Sequence, residues 1–178
     1  MISVREAASD DLADIQAIYS SAFDDDEKNQ VARLAANLLN EEIHPETFAL
    51  LAEQADQLVG HVGLSPVVFD SINSLSGYIL APLAVRADVQ MQGIGSMLVK
   101  GAMAKLSQQG VNILFVYGDP GYYGRFGFGA DIAQSFVPPY ELEFPFGWMA
   151  QILNETDNLS EQKHKLGCVE SLNDPALW

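Results

Sequence analysis

Residues 83–96 read Leu83-Ala84-Val85-Arg86-Ala87-Asp88-Val89-Gln90-Met91-Gln92-Gly93-Ile94-Gly95-Ser96, and this stretch decides the fold. The apolar run before it, residues 78–85, predicts a buried strand, and the apolar spacing over residues 93–109 predicts a helix. Backbone N–H groups in the first turn of a helix have no partner within the helix. Glycine at Gly93 and Gly95 removes side chains that would keep an anion away from those groups. The stretch therefore favours an anion site, well suited to a pyrophosphate.

Two other interpretations of the Gly-x-Gly remain open. Glycine at these positions also allows a helix to pack closely against a strand. The second alternative is a dinucleotide-binding fold, whose fingerprint is Gly-x-Gly-x-x-Gly after the first strand. Here Leu98 stands at the sixth position and the motif lies in the middle of the chain. Both observations argue against a dinucleotide-binding fold.

The rest of the chain predicts a mixed α/β sheet. Strands are predicted at residues 2–7, 47–53, 58–69, 78–85, 111–117, 134–136 and 148–153. The predicted helices comprise one that begins near Ser9 or Asp10, one that carries the apolar stripe 31–39, one at 93–109 and a short one at 121–125. The acidic run 24–27 is predicted to be a loop that enters the second helix, and residues 70–77 are predicted to be a loop. This order predicts one domain, residues 1–178, with a core at 2–153, a C-terminal extension at 154–178 and helices on both faces of the sheet.

Composition narrows the classes of partner and the compartment. The chain has 24 acidic and 9 basic residues, a net charge of −15 that disfavours nucleic acid and anionic membranes. Residues 86–125 depart from this trend, with four basic residues against two acidic ones. A single cysteine, Cys168, rules out an internal disulfide, and the N-terminus lacks the pattern of a signal peptide. We expect a cytoplasmic protein that prefers cationic small molecules or basic peptides.

Two motifs together resemble a known family. Gln90-x-x-Gly93-x-Gly95, preceded by residues 82–85, resembles the acetyl-CoA signature of the GCN5-related N-acetyltransferases, or GNATs. Residues 118–128, Gly-Asp-Pro-Gly-Tyr-Tyr-Gly-Arg-Phe-Gly-Phe, resemble a narrower branch, the YhbS-like acetyltransferases. The motifs occur in the expected order, about 25 residues apart. The resemblance implies a mostly antiparallel sheet of six or seven strands with one splayed parallel pair.

The resemblance also implies roles for individual residues. The strand residues 83–85 would pair through their backbone with the pantetheine arm of acetyl-CoA, and the loop 90–96 would hold the pyrophosphate. Tyr123 would donate a proton to the departing thiolate, a role that suits a hydroxyl near a developing charge. The residues so implied to bind acetyl-CoA are Leu83, Ala84, Val85, Gln90, Met91, Gln92, Gly93, Ile94, Gly95, Ser96 and Tyr123. The Gln90 side chain is expected to brace the loop.

The amine acceptor is less well defined. Net acidity favours a cationic acceptor such as a polyamine, an aminoglycoside-like amine or a peptide N-terminus. We hypothesise that residues 138–148 wall the acceptor pocket, with Trp148 as one of the walls. His61 is a candidate general base, with a structural role as the alternative. Tyr122 is expected to be a packing residue and Phe126 and Phe128 are expected to be core residues, whereas Arg125 is either structural or a phosphate ligand. No cluster of His, Cys and acidic residues has metal-ligand spacing.

Three functional classes stay open at this point. The first is an N-acetyltransferase that acts by direct attack in a ternary complex. The second is an acyl-CoA-binding domain of the same fold without catalysis. The third is an interaction protein, such as an acidic homodimer that uses Phe144, Phe146 and Trp148, although these aromatics are more simply interpreted as core. A homodimer is also compatible with the enzyme.

Overall fold

The computed structural model describes residues 1–25, 27–71, 74–156 and 163–178. Asp26 of the acidic run, residues 72–73 of the predicted loop and residues 157–162 of the predicted extension lie outside the described residues. Within the described ranges, no helix combines the length and apolar character that crossing a membrane requires.

The described residues form a mixed α/β fold. The strands are β1 (Ile2–Glu6), β2 (Phe48–Gln54), β3 (Gln57–Phe69), β4 (Gly77–Val85), β5 (Ile113–Tyr117), β6 (Phe136–Val137), β7 (Trp148–Ile152) and β8 (His164–Gly167). The helices are α1 (Leu12–Ala22), α2 (Lys28–Leu39), α3 (Ile94–Gln108), α4 (Pro120–Tyr123) and α5 (Ala130–Ala133). The predicted fold class is confirmed, with eight strands in the described residues where six or seven were expected, and β8 and α5 are elements that the sequence analysis did not predict.

The chain divides into two compact units. The first unit comprises residues 1–64 and 81–102, and the second comprises residues 65–80 and 103–178. Strands β3 and β4 contribute residues to both units. The boundaries predicted for a core and an extension remain a prediction.

In the first unit, the strand order is β1-β2-β3-β4. Strands β1 and β2 are antiparallel, and so are β2 and β3. A Cβ added to Gly60 would lie 2.9 Å from Leu98 of α3, whereas the next residue, His61, contacts Tyr19 of α1. Successive residues of a strand point to opposite faces. Helix α3 therefore covers one face of this sheet, and α1 covers the other.

The apolar stripes of α1 and α2 form the core on the second of these faces. The buried cluster joins α1, α2, β2 and β4, and its members are Ile15, Ile18, Tyr19, Ala35, Leu51 and Ala84. Burial of such side chains stabilises a fold by about 25 cal/mol per Å² of apolar surface. The side chain of Ala84 is thereby anchored in the core, and the strand that leads into the loop at 86–93 is held in place.

In the second unit, the strand order is β3-β4-β5-β7, and β8 pairs with both β3 and β6. Strands β4 and β5 are parallel, and β5 and β7 are antiparallel. The parallel pairing covers only Gly77–Ile79 against Ile113–Phe115, although β4 continues to Val85 and β5 to Tyr117. The expected parallel pair is therefore present, with a short hydrogen-bonded register.

Candidate functional site

The loop that joins β4 to α3 is held by hydrogen bonds from its backbone and from its side chains. The amide of Arg86 donates to the carbonyl of Val59 at 2.8 Å, which ties the end of β4 to β3. The Gln90 side chain donates from Nε2 to the carbonyl of Val85 at 3.1 Å. Gln90 thus braces the loop against the last residue of β4, as expected from the sequence.

Helix α3 begins immediately after a residue with left-handed backbone. Gly93 has φ +83°, and a Cβ built there would have no atom within 4 Å. Ile94 is buried, and its side chain packs against Gly60 on the sheet. Ile94 thus anchors the first turn of α3 to the sheet, while the space beside the Cα of Gly93 is open. A helix N-terminus with open space above a glycine can accept an anion.

Arg86 does not add a free positive charge beside this loop. Its guanidinium donates to both carboxylate oxygens of Asp88, at 3.1 and 2.7 Å, and to Oε1 of Gln57 at 3.1 Å. A bidentate pair of this kind neutralises most of the charge that the arginine presents. Of the four basic residues in 86–125, Arg86 is therefore already paired, and the helix N-terminus remains a source of attraction for an anion at this loop.

Tyr123 lies at the end of α4, in the second unit. Asp119 caps this helix, because its carboxylate accepts from the amide of Gly121 at 2.8 Å, and Pro120 occupies the first helical position. A Cβ on Gly118 would lie 2.6 Å from Cε2 of Tyr123, so glycine is required there to make room for the ring. Four residues of the predicted motif, 118–121, thus serve to position Tyr123.

The phenol of Tyr123 is kept protonated by its surroundings. The ring is partly buried and makes edge contacts with Tyr122 and Phe128, with centroids 4.9 and 5.8 Å apart. Burial raises the pKa of Tyr123 well above its ordinary value, and the neighbouring Tyr122 raises it further. A phenol in this state can donate a proton or a hydrogen bond and is a poor base.

The neighbours of Tyr123 pack against one another. The Arg125 guanidinium lies over the Tyr122 ring, 4.3 Å from its centroid, and 5.1 Å from that of Phe126. This cation–π arrangement supports a structural role for Arg125. Phe128 is buried, as predicted, whereas Phe126, which was also expected to be a core residue, is only partly buried.

His61 is a neutral, buried residue of the first unit. It is 1% exposed, its Nδ1 lies 2.7 Å from the hydroxyl of Tyr19, and its Nε2 is buried without a hydrogen-bond partner. Burial lowers the pKa of His61 to about 4. An imidazole with this pKa binds a proton weakly at neutral pH, which argues for the structural alternative over a general base.

The aromatic stretch 138–148 is divided between core and surface. Trp148 is only 6% exposed, stacks on Phe115 at 5.2 Å between centroids and donates from Nε1 to the carbonyl of Phe136 at 2.9 Å. Trp148 is therefore a core residue, and the hypothesis that it walls a pocket is wrong. Phe144 and Phe146, expected to be core, are 51% and 64% exposed and line a cavity of about 430 Å³.

The described residues contain no group of three or more His, Cys, Asp or Glu side chains that could hold a metal ion. The predicted loop residues 90–96 lie together at the start of α3 in the first unit. Tyr123 lies among the residues of its own motif in the second unit. The cavity lined by Phe144 and Phe146 lies in the stretch 138–148, for which the sequence analysis hypothesised a pocket wall, although the lining residues are not those expected to be exposed.

The sequence is similar to known acetyltransferases. The sequence model of the acetyltransferase (GNAT) domain matches residues 3–130. The uncharacterized N-acetyltransferase YjhQ of Escherichia coli K12 is 33% identical over 147 residues, which is 80% of each chain. The uncharacterized N-acetyltransferase YhbS of the same strain is 31% identical over 119 residues, 66% of this chain and 68% of YhbS.

Solved structures share the fold. The crystal structure of YhbS from E. coli in complex with CoA has a TM-score of 0.83 at 24% identity, and the match covers 97% of this chain and 92% of that one. A GNAT-family acetyltransferase from Brucella melitensis in complex with acetyl-CoA has a TM-score of 0.69 at 23% identity, with coverage of 97% and 98%. At these identities the likeness establishes the fold.

Proposed function

The chain belongs to the GNAT family of acetyltransferases, and on that premise we propose that it transfers the acetyl group of acetyl-CoA to a primary amine in a ternary complex. The observation that carries the proposal is the loop at residues 86–93. Helix α3 begins directly after Gly93, which has a left-handed backbone and open space beside it. The Gln90 side chain braces the loop against Val85.

The loop suits the pyrophosphate of coenzyme A. In this proposal the backbone of residues 90–96 holds the phosphates, and the open space above Gly93 leaves room for them. The backbone of Leu83, Ala84 and Val85 pairs with the pantetheine arm. Support comes from the relatives YhbS and the Brucella protein, whose structures contain CoA and acetyl-CoA.

Acetyl-CoA supplies a thioester carbonyl that an amine can attack. A nitrogen–carbon bond forms, the carbon–sulfur bond breaks, the amine loses one proton and the departing sulfur gains one. We assign the proton donated to sulfur to the Tyr123 hydroxyl, which regains a proton from water, and the proton lost by the amine passes to water. The raised pKa of Tyr123 keeps the phenol protonated and able to donate a hydrogen bond to the developing thiolate, but it lowers the driving force for full transfer of the proton to sulfur.

The experiment is a transfer assay with the purified protein, acetyl-CoA and a panel of primary amines. Released thiol is followed with a chromogenic disulfide, and the acetylated amine is identified by mass spectrometry. The proposal predicts equal amounts of thiol and acetylated amine, with no thiol released when the amine is left out. Binding of acetyl-CoA without acetylation of any amine would contradict the proposal and support an acyl-CoA-binding domain.

A further inference from the structure

A cavity of about 430 Å³ opens on the second unit. Three segments surround it. The first runs from the end of β5 into α4, the second is the turn before β7, and the third is residues 176–178. The lining residues are Tyr117, Gly118, Asp119, Pro120, Glu143, Phe144, Phe146, Ala176, Leu177 and Trp178. This volume suits a small organic molecule.

The aromatic wall of the cavity is exposed to solvent. Phe144 and Phe146 make an edge contact, with centroids 5.9 Å apart, and both expose more than half of their surface. Nearby aromatics such as Phe115 and Trp148 are buried in the core. Adjacent phenyl rings left in water form an apolar surface that a ligand with an aromatic or aliphatic body can cover.

The wall is rigidly built. The amide of Phe144 donates to the Tyr117 hydroxyl at 2.9 Å, and the amide of Gly147 donates to the carbonyl of Phe144 at 2.8 Å. The amide of Gly118 donates to the carbonyl of Gly147 at 3.0 Å. A Cβ on Gly147 would lie 2.8 Å from the carbonyl oxygen of Gly118, so this close approach requires glycine. These bonds fix the aromatic turn against the end of β5.

The cavity is acidic. Asp119 and Glu143 are the carboxylates among its lining residues, and the lining residues include no Lys, Arg or His. A cationic group is attracted to such a site, whereas an anionic one is repelled. The complementary ligand therefore has an apolar body and a positive charge.

The cavity adjoins the residue to which we assigned proton transfer. The carbonyl of Asp119, a lining residue, accepts from the amide of Tyr123 at 3.0 Å. Gly118, another lining residue, is in van der Waals contact with the Tyr123 ring. The same turn of chain thus forms the wall of the cavity and carries Tyr123.

We propose that this cavity is the acceptor pocket and that the acceptor is an arylalkylamine, a primary amine on a short aliphatic chain that ends in an aromatic ring. The inference rests on the proposed acetyl transfer. Phe144 and Phe146 contact the ring of the amine, and Glu143 attracts its ammonium group as it enters. A polyamine carries several positive charges along its chain and an aminosugar carries several hydroxyl groups, so both present less uncharged apolar surface to the phenyl rings than an arylalkylamine does.

The first test is calorimetric binding of 2-phenylethylamine, with propylamine and 2-phenylethanol as ligands that lack the ring or the charge. The wild-type protein is expected to bind 2-phenylethylamine at least about 10-fold more tightly than either one. Phe146→Ala is expected to weaken binding of 2-phenylethylamine about 10-fold and to leave the acetyl-CoA Kd unchanged. Val68→Ala is the matched control, because Val68 is 67% exposed in the same unit and does not line the cavity.

The second test concerns charge. Glu143→Gln is expected to weaken binding of 2-phenylethylamine about threefold at low salt, and Glu141→Gln, an exposed acid outside the cavity, is expected to leave it unchanged. Equal binding by the wild type, Phe146→Ala and Glu143→Gln, or no binding of 2-phenylethylamine at all, would overturn the proposal. These measurements need no turnover. If they succeed while no amine is acetylated, the cavity binds an arylalkylamine and the proposed acetyl transfer fails.

Discussion

The Tyr19 hydroxyl lies 2.7 Å from Nδ1 of His61, and both side chains are buried between α1 and the sheet of the first unit. The rings also meet edge to face, with centroids 5.4 Å apart. A buried nitrogen that loses its partner loses a hydrogen bond that water cannot replace. This pair therefore links the first helix to β3 through a polar contact inside an apolar core.

We predict that Tyr19→Phe lowers the free energy of unfolding by about 1–3 kcal/mol, because it leaves Nδ1 of His61 without the hydroxyl. Urea denaturation measures the change. Tyr140→Phe is the control, since the Tyr140 hydroxyl donates to Oδ1 of Asn173 at 2.7 Å on the surface, where water can replace it. Equal stability of Tyr19→Phe and the wild type would show that the buried bond contributes nothing.

His61 predicts a dependence of stability on pH. Its pKa falls from an ordinary value of 6.5 to about 4 in the folded protein, so the unfolded chain binds the proton more readily. Buried, neutral His61 therefore contributes about 3 kcal/mol to the free energy of unfolding above pH 6.5, and this contribution is lost as the pH falls from 6.5 to 4. His61→Gln removes this part of the dependence. Urea denaturation of both proteins between pH 7.5 and 4 is the measurement, and parallel curves would contradict the prediction.

Gly93→Ala tests the loop. Gly93 and Gly110 have φ of +83° and +78°, and a Cβ at either position meets no atom within 4 Å. We expect Gly93→Ala and Gly110→Ala to cost about 1 kcal/mol of stability each, from the left-handed backbone alone. Only Gly93→Ala is expected to weaken acetyl-CoA binding, by about 10-fold or more, because its methyl group would project into the space above the helix N-terminus. Wild-type affinity in Gly93→Ala would mean that the phosphates bind elsewhere.

Tyr123→Phe tests the assigned acid. We expect kcat to fall by about 100-fold or more with little change in the KM for acetyl-CoA, since general acid catalysis contributes roughly 10²–10⁴. Tyr122→Phe is the control, because Tyr122 packs under Arg125 and we assign it no chemistry. The same kcat in Tyr123→Phe and the wild type would remove Tyr123 from the mechanism.

The sequence predicted the elements whose signals are local. The strand at 78–85 and the helix after Gly93 carry long apolar patterns, and both are present with ends shifted by one residue. Strand β8 was missed because it has only four residues and one of its buried side chains is His164, which is not an apolar signal. His164 is satisfied by the Ser71 hydroxyl, 2.7 Å from its Nδ1 and 93 residues away in sequence.

The division of the aromatic residues between core and cavity could not be predicted from the sequence. Trp148 and Phe146 are two residues apart and equally apolar in pattern, yet Trp148 packs on Phe115 and Phe146 is exposed. The turn that carries Phe146 is bound to β5 by the hydrogen bond from Phe144 to Tyr117, which joins residues 27 positions apart. Contacts between residues this far apart in the sequence produce no periodic pattern, so they could not be predicted from it.

We expect acetyl-CoA to bind at the loop of residues 86–93 and the first turn of α3. Calorimetric titration of the purified protein with acetyl-CoA tests this most directly, with NAD as the control ligand. We predict saturable binding of acetyl-CoA at one site per chain, weakened in Gly93→Ala and unchanged in Gly110→Ala, with no heat from NAD. Absence of acetyl-CoA binding by a protein that unfolds cooperatively would contradict the claim and leave the glycines of the loop with a packing role.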